Sequence, residues 1–576
     1  MHEGLLGNIF GQGKTVIRGG YSRIFGRLNG VDLVLVPLLG TGLIQPVQCV
    51  DPLSLTVTGA ATCAGTLGST PANAFRIGTD GLTAPLPLPS LTLPQPDFPG
   101  YNAIAAATGE ALDKNFRPDE SDQFDLTIQR QINSKTTIEV GYIGRLIRNE
   151  YQPININAVP IMMTLGGQSF AKAYTNLELQ YCGGGSTKGL LGAGCLGNIA
   201  AVTPQPFFET ALAGTGYCTG FANCTQAVAM KEGLAAAGGT GNLASQSVWS
   251  LWSDLDQGGA ACIATTPCGF NFSRTMLNSP IPGTAPCPDS AVGSPPCGVN
   301  GQMTSGVAVN ASRGWGNYNA GFVTLKMSDW HGLTVQQNFT YSKALGTVNT
   351  VQATSEFTTV NPYDIGAGYG VQPYDRKFVE NVFLVYEPPW FKSQHGIAGR
   401  LLGGWSFSPI FVAGSGLPLE LNVINGDGQS FGAADTVNFF NTENGVLGCV
   451  NNFGSSRHNN VTGPGGVGIA GNVNLFANPQ AVFNCVRDPI LGLDGGAGGA
   501  GVLRGMPFWN VDFQVRKNVH LTERFSAEVQ SIFSNIFNHD QLGDPILSLA
   551  NPAAWGVESL QANTPRSIEL GIRLRF

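Results

Sequence analysis

The chain has 576 residues, 38 acidic and 31 basic, for a net charge of −7, and only 12% of its residues are charged. That modest negative charge gives no electrostatic support for a nucleic-acid partner, and the charged fraction is about half the usual share of a soluble globular protein. No stretch reaches the roughly 18 apolar residues of a membrane-spanning helix; the closest, Val31 to Ile44, is broken by Asp32, Pro37, Gly40 and Gly42.

The start, Met1-His2-Glu3-Gly4, lacks the basic residues and apolar run of a signal peptide. An exported chain of this kind is expected to begin upstream. Gly7 to Thr15 superficially resembles a phosphate-binding loop, but Asn8 stands where the first glycine belongs and Lys14 opens a strand instead of a helix. Lys14 to Gly26, with Val16, Ile17, Tyr21, Ile24 and Phe25, reads as the first strand. Four pairs follow. Phe124, Leu126 and Ile128 alternate with polar residues, and after Asn133-Ser134-Lys135 the pattern resumes with Ile138, Val140 and Tyr142, as in a hairpin.

The second pair covers 317–327 and 332–343 around Ser328 to His331. A third covers 376–387 and 401–414, its alternation blurred by Glu380 and Pro409. In the fourth, Trp509, Val511, Phe513 and Val515 alternate with polar residues before Phe525, Val529, Phe533 and Phe537. The chain ends on Ile568, Leu570, Ile572, Leu574 and Phe576, all of one parity, opposite Glu569, Arg573 and Arg575. A terminus inside a strand is expected to pair with another strand, since free termini are mostly frayed and polar.

Short turns within pairs alternate with long connections at 27–121, 146–316, 344–375, 415–508 and 538–565. This sorting is expected of an all-β, antiparallel transmembrane β-barrel with short periplasmic turns and long extracellular loops, and it predicts about eleven strands. Tyr142, Tyr341, Trp390, Trp405 and Trp509 near strand ends suit an interfacial girdle. A soluble secreted β-protein, with these aromatics in its core, is the competing class.

All twelve cysteines fall in the long connections as neighbouring couples: Cys49/Cys63, Cys182/Cys195, Cys218/Cys224, Cys262/Cys268, Cys287/Cys297 and Cys449/Cys485. An even count in close couples predicts local disulfides in an oxidising compartment, with connectivity open. No C-x-x-C occurs and the histidines are scattered, so a zinc site is not expected. The connections also hold a proline-rich stretch, 83–99, an Ala-rich segment, Thr225 to Ala237, expected to form a short helix, and glycine-rich stretches at 463–471 and 492–501. Asn425 to Gly428 reads as an Asn-Gly turn ahead of a calcium loop. Asn310-Ala311-Ser312 and Asn338-Phe339-Thr340 match glycosylation acceptors only as short motifs. No set of nucleophile, base and orienting group can be assembled, so neither an enzyme nor a cofactor is expected.

Lys14-Thr15-Val16-Ile17-Arg18-Gly19-Gly20-Tyr21, Phe533-Ser534-Asn535-Ile536-Phe537-Asn538-His539 and the terminal Arg573-Leu574-Arg575-Phe576 resemble the C-terminal barrel of Oar-like TonB-dependent outer-membrane receptors. The resemblance implies a barrel of about 22 strands, a plug domain, energy coupling through the TonB complex and uptake of a bulky substrate in the bacterial outer membrane. It also implies that Phe576 signals to the barrel-assembly machinery. The chain departs from that pattern: no plug, TonB-contacting segment or signal peptide is found, and eleven is odd where such barrels use even counts. Residues 1–576 are therefore expected to be the C-terminal part of a longer receptor, contacting TonB through a missing N-terminal region. Substrate contacts are expected from 146–316 and 415–508 and from the inward polar residues Glu139, Asp512, Gln514, Glu528 and Arg573. A barrel-anchored adhesin and a passive porin are the alternatives.

Overall fold

The computed structural model describes residues 13–26, 48–49, 63–64, 109–155, 158–183, 195–245 without 215, 248, 251–252, 255, 307–347, 362–419, 421–422, 454, 456–461, 463–464, 473–486, 492, 503–545 without 523, 547–548 and 551–576. Ten long strands form one path: β1 Thr15–Phe25, β2 Glu120–Asn133, β3 Thr136–Asn155, β4 Val307–Trp330, β5 Leu333–Gly346, β6 Phe378–Tyr386, β7 Trp405–Gly414, β8 Phe508–His520, β9 Ser526–Ser534 and β10 Ser567–Arg575. Each is hydrogen-bonded to its neighbour in chain order and every pairing along the path is antiparallel. Two short segments, Gly109–Leu112 beside β4 and Gly370–Val371 beside β5, bring the sheet to twelve. The long strands and these additions bracket the expected count of about eleven.

Short connections at 134–135, 331–332, 387–404 and 521–525 lie at one end of the sheet, and the long ones lie at the other. The 331–332 turn is the tightest. His331 and Gly332 have φ of 52° and 84°, the pair of left-handed conformations that a two-residue type I′ hairpin needs to follow the strand twist. A Cβ on Gly332 would also meet the Glu387 carbonyl oxygen at 2.0 Å. Gly332→Ala is therefore expected to destabilise by at least about 1–2 kcal/mol from the backbone conformation alone, read as a lower temperature for loss of folded mobility on gels. An unchanged temperature contradicts it. The 387–404 connection is long but compact, since Gly396–Leu402 forms a helix within it.

Opposite residues in a ladder share a face, so register carries one face across all ten strands. One face holds Ile17, Leu126, Ile128, Val140, Val323, Phe339, Val382, Phe411, Val511, Val529 and Ile572; the other holds Gln129, Glu139, Thr324, Asn338, Asn381, Gln514 and Glu528. The two blurred positions find physical reasons. Glu380 sits on the apolar face but accepts a 2.8 Å hydrogen bond from Gln337 of the same face. Pro409 has no N–H, and the β6–β7 ladder skips from Phe383↔Ile410 to Tyr386↔Phe407 around it.

The sheet encloses no core of its own. Its apolar face is bare: Leu126 is 51% exposed, Val140 50% and Leu570 79%. Such a surface in water runs far beyond the apolar patches soluble monomers expose. The edge strands β1 and β10 are exposed on both faces and each pairs with a single neighbour among the described residues, so the sheet is an open ribbon.

The large fully buried side chains among the described residues lie instead in two modules built from the long connections. The first, in the β3–β4 connection, contains helices α1 Phe170–Tyr181, α2 Pro206–Ala211 and α3 Cys224–Lys231. Ser169 caps α1 through the Lys172 N–H and Asn223 caps α3 through the Gln226 N–H. Phe170, Phe207, Phe208 and Trp252 pack edge to face or tilted, with Phe170 and Trp252 centroids 4.9 Å apart. Disulfides Cys182–Cys195 and Cys218–Cys224 tie the module's segments. The expected helix at Thr225 to Ala237 is α3 followed by a 3-10 turn, Ala235–Ala237. The second module joins the β7–β8 and β9–β10 connections: Leu419, Leu475, Phe476, Val482, Phe483, Leu503, Leu547 and Trp555 form its core.

The strands also run further than read from the sequence. β3 continues to Asn155 and β4 starts at Val307, so the connection between them spans 156–306 instead of 146–316. The alternation fades there at Glu150 and Tyr151, where register shifts interrupt the β3–β4 ladder. The proline-rich stretch, Asn425 to Gly428 and most of both glycine-rich stretches lie outside the described residues.

Candidate functional site

Glu139, Asp512, Gln514, Glu528 and Arg573 all lie on the polar face of the sheet. Four of them lie on β8, β9 and β10, with Glu528 and Arg573 level with Asn518, four and six residues along the sheet from Gln514 and Asp512. Glu528 stands opposite Arg573 in register and accepts a 3.1 Å hydrogen bond from Arg575. Gln514 donates to Gln530 at 3.2 Å, and Asp512 accepts from Asn510 Nδ2 and from the Asn535 N–H, each at 2.8 Å. Glu139 stands apart on β3, between Gln129 and Thr324. The patch thus mixes carboxylates, amides and guanidinium groups, a composition that can hydrogen-bond a polar solute without selecting one charge. Asn338, one of the glycosylation motifs, is spent inside this face, donating to Thr324 at 2.8 Å.

At the long-connection end, the base of the second module is clamped to the sheet. Asp375, almost fully buried, accepts from the Ala344 N–H at 2.6 Å and pairs with Arg504, which also donates to the carbonyls of Asp375 and Gly416. Backbone bonds Leu419 to Leu503 and Gly505 to Leu417 complete the join. A polar network on the apolar face pins the edge strand: Tyr21 and Arg23 both donate to Asp122 at 2.7 Å, and Arg148 lies 3.5 Å from Asp122 and 3.8 Å from Glu120. Sequence reading passed over these groups because alternation sorts residues by face and carries no information on height along the strand.

Within the second module, Glu558 is buried and neither carboxylate oxygen has a hydrogen-bond partner among the described residues. Burial, with Asp544 nearby, pushes its carboxyl from 4.5 up to about 7, against the opposing pull of Arg457. The folded module binds this proton more tightly than the unfolded chain does. The contribution is full below about pH 4.5 and is lost as pH rises through 7. Protease protection of the module is expected to weaken across that window and to become flatter with pH in Glu558→Gln. An equally steep profile in the variant contradicts the assignment.

Aromatic residues mark both ends. Trp405 and Trp390 stand at the short-turn end, Trp390 packed on Tyr386 at 6.4 Å and Phe525 on Phe576 at 6.2 Å. Trp509 stacks on His539 at 4.2 Å at the other end, while Tyr142 and Tyr341 both face Gly321 across the ladders. Phe576 is 93% exposed. Of the remaining cysteines, Cys49 and Cys63 stand opposite each other in a two-residue ladder and Cys485 is disulfide-bonded. Cys262, Cys268, Cys287, Cys297 and Cys449 lie outside the described residues. Among the described residues, no group of three His, Cys, Asp or Glu is arranged to hold a metal ion.

A bare apolar face on a ten-stranded antiparallel ribbon coincides with a family match: the outer membrane beta barrel domain matches residues 8–203 and 270–569. The chain belongs to this family. It is a barrel-type protein of the bacterial outer membrane. No curated protein matches the chain. Among solved structures, the outer membrane transporter YddB from Escherichia coli is similar at 5% identity, covering 82% of this chain and 34% of that one with a TM-score of 0.33. The pyoverdine outer membrane receptor FpvA from Pseudomonas aeruginosa is similar at 7% identity over 80% of this chain and 30% of that one, TM-score 0.26. For the siderophore receptor PiuA from Acinetobacter baumannii the values are 7%, 81%, 30% and 0.28. The barrel chain spans about a third of the length of these structures.

Proposed function

We propose that this chain is the barrel portion of an Oar-like TonB-dependent receptor for energy-coupled uptake of a bulky substrate. In this reading the apolar face meets lipid, the polar face lines the lumen, and the long connections lie outside the cell. The observation that carries it is the pair of folded modules at one end of the ribbon, one of them with two disulfides. A passive pore needs open water at its mouth, whereas capturing a large solute needs preorganised surface there. Glu139, Asp512, Gln514, Glu528 and Arg573 then supply lumenal contacts, and Phe576 serves barrel assembly.

The test compares cells carrying the intact gene with cells lacking residues 158–255, following depletion of bulky solutes from the medium with and without a protonophore. Depletion that needs both the module and the proton gradient is expected. Depletion insensitive to both, or vesicles made freely permeable to small sugars by the protein, favours a porin. Cell adhesion lost with the module while depletion persists favours an adhesin.

A further inference from the structure

We propose that a ladder on the apolar face at the long-connection end binds the phosphorylated sugar headgroup of an outer-leaflet glycolipid. The proposal rests on the outward orientation of that face given above. The ladder is continuous: Tyr142 donates to Asn319 at 2.6 Å, Asn319 donates to Asn317 at 3.0 Å, and Asn317 donates to the Tyr369 hydroxyl. Trp315 stacks on Tyr369, their centroids 6.4 Å apart and their planes 20° from parallel. Tyr142 and Trp315 are 40% and 41% exposed.

Position along the strand selects the occupant. A tilted strand crosses the hydrocarbon in about 9–11 residues, which takes β3 from Thr136 to the neighbourhood of Leu146. Asn319 lies opposite Gly144, Asn317 opposite Leu146 and Trp315 opposite Arg148. The ladder therefore starts within the outer half of the apolar band at Tyr142 and Asn319, and Asn317 and Trp315 carry it past Leu146 into the headgroup layer on the lipid side. Asparagines on the apolar parity of β4 bring no advantage against acyl chains.

The chemistry selects a sugar. A pyranose offers hydroxyls that both donate and accept, which a row of amides answers with both functions on each side chain. Its flatter C–H face packs on an exposed aromatic ring such as Trp315, whose ring carries a negative π-face. Lys343 stands opposite Asn319 in register and is exposed, which places a cation beside the sugar for a phosphate substituent.

The test uses the full chain folded in detergent micelles, titrated with lipopolysaccharide, with its delipidated core oligosaccharide, and with phosphatidylglycerol. Trp315→Ala, and separately Asn317→Leu with Asn319→Leu, are expected to weaken lipopolysaccharide binding about tenfold while phosphatidylglycerol binding stays unchanged. Folding of each variant is checked by its gel mobility before and after heating, and the asparagine variant carries the test if Trp315→Ala does not fold. Unchanged affinity of a folded variant overturns the proposal, as does an equal loss for phosphatidylglycerol, which would mark a charge site. Core oligosaccharide bound as tightly as the intact lipid overturns the lipid source. A nitroxide at Val140→Cys, read for oxygen over aqueous-nickel accessibility, checks the outward orientation separately, so failure of that reading is distinguishable from failure of the sugar site.

Discussion

Trp252→Ala is expected to unfold the helical module and leave the ten-stranded ribbon standing. Trp252 is fully buried and packs against Phe170 at 4.9 Å and Phe207 at 6.5 Å, and Phe208 packs edge to face on Phe170 at 6.3 Å. Removing a buried indole costs about 3–5 kcal/mol in lost transfer energy and cavity. That is a large share of what a module of this size holds in total. The disulfides Cys182–Cys195 and Cys218–Cys224 close loops of 13 and 6 residues. They constrain only local segments and cannot replace the core that Trp252 completes. The ribbon is held by backbone ladders between its own strands. Limited proteolysis should therefore cut within 158–255 in the variant while the strand fragments stay protected in membranes. Cleavage no faster than in the parent contradicts the prediction, and loss of the whole protein from the membrane fraction shows that the module and sheet fold as one unit.

Charge on the two faces of the sheet should have unequal consequences. Val140 lies near the centre of the 136–146 segment of β3, opposite Ile128 and Val323, and is half exposed on the apolar face. If that face meets lipid, Val140→Arg should cost about 2–4 kcal/mol, the penalty for a cation near the bilayer midplane of a barrel. Gln129 lies on the other face, opposite Glu139. Gln129→Arg puts a cation in front of a carboxylate on a polar wall and should change stability little. The readouts are the amount of protein in the outer-membrane fraction and the temperature at which folded mobility on gels is lost. Equal effects of the two substitutions would falsify the assignment of faces.

Period-two alternation carried most of the sheet, because it depends only on which side of a pleated strand each residue takes. Ile568, Leu570, Ile572 and Leu574 against Glu569, Arg573 and Arg575 already define β10 and its two faces, and the short and long connections already sort to opposite ends. The five polar residues singled out for the lumen share a face for the same reason. Where alternation is broken, sequence alone stops early. β3 and β4 continue past Glu150 because their ladder absorbs register shifts there, which no single-strand pattern reports.

The amino-acid sequence by itself determined most of the strands, their faces and the absence of an apolar spanning helix, while the pairing Cys182–Cys195 and Cys218–Cys224 came from the structure. Strands, faces and apolar runs are local properties, read within a few residues. Only the tertiary structure decided that Phe170, Phe207 and Trp252 converge in one core and that the 415–507 and 535–566 connections fuse around Trp555. It alone decided that Tyr142, Asn319, Asn317 and Tyr369 form one ladder. Those contacts join residues tens to hundreds of positions apart, brought together by packing and register, and no periodicity in the chain encodes them.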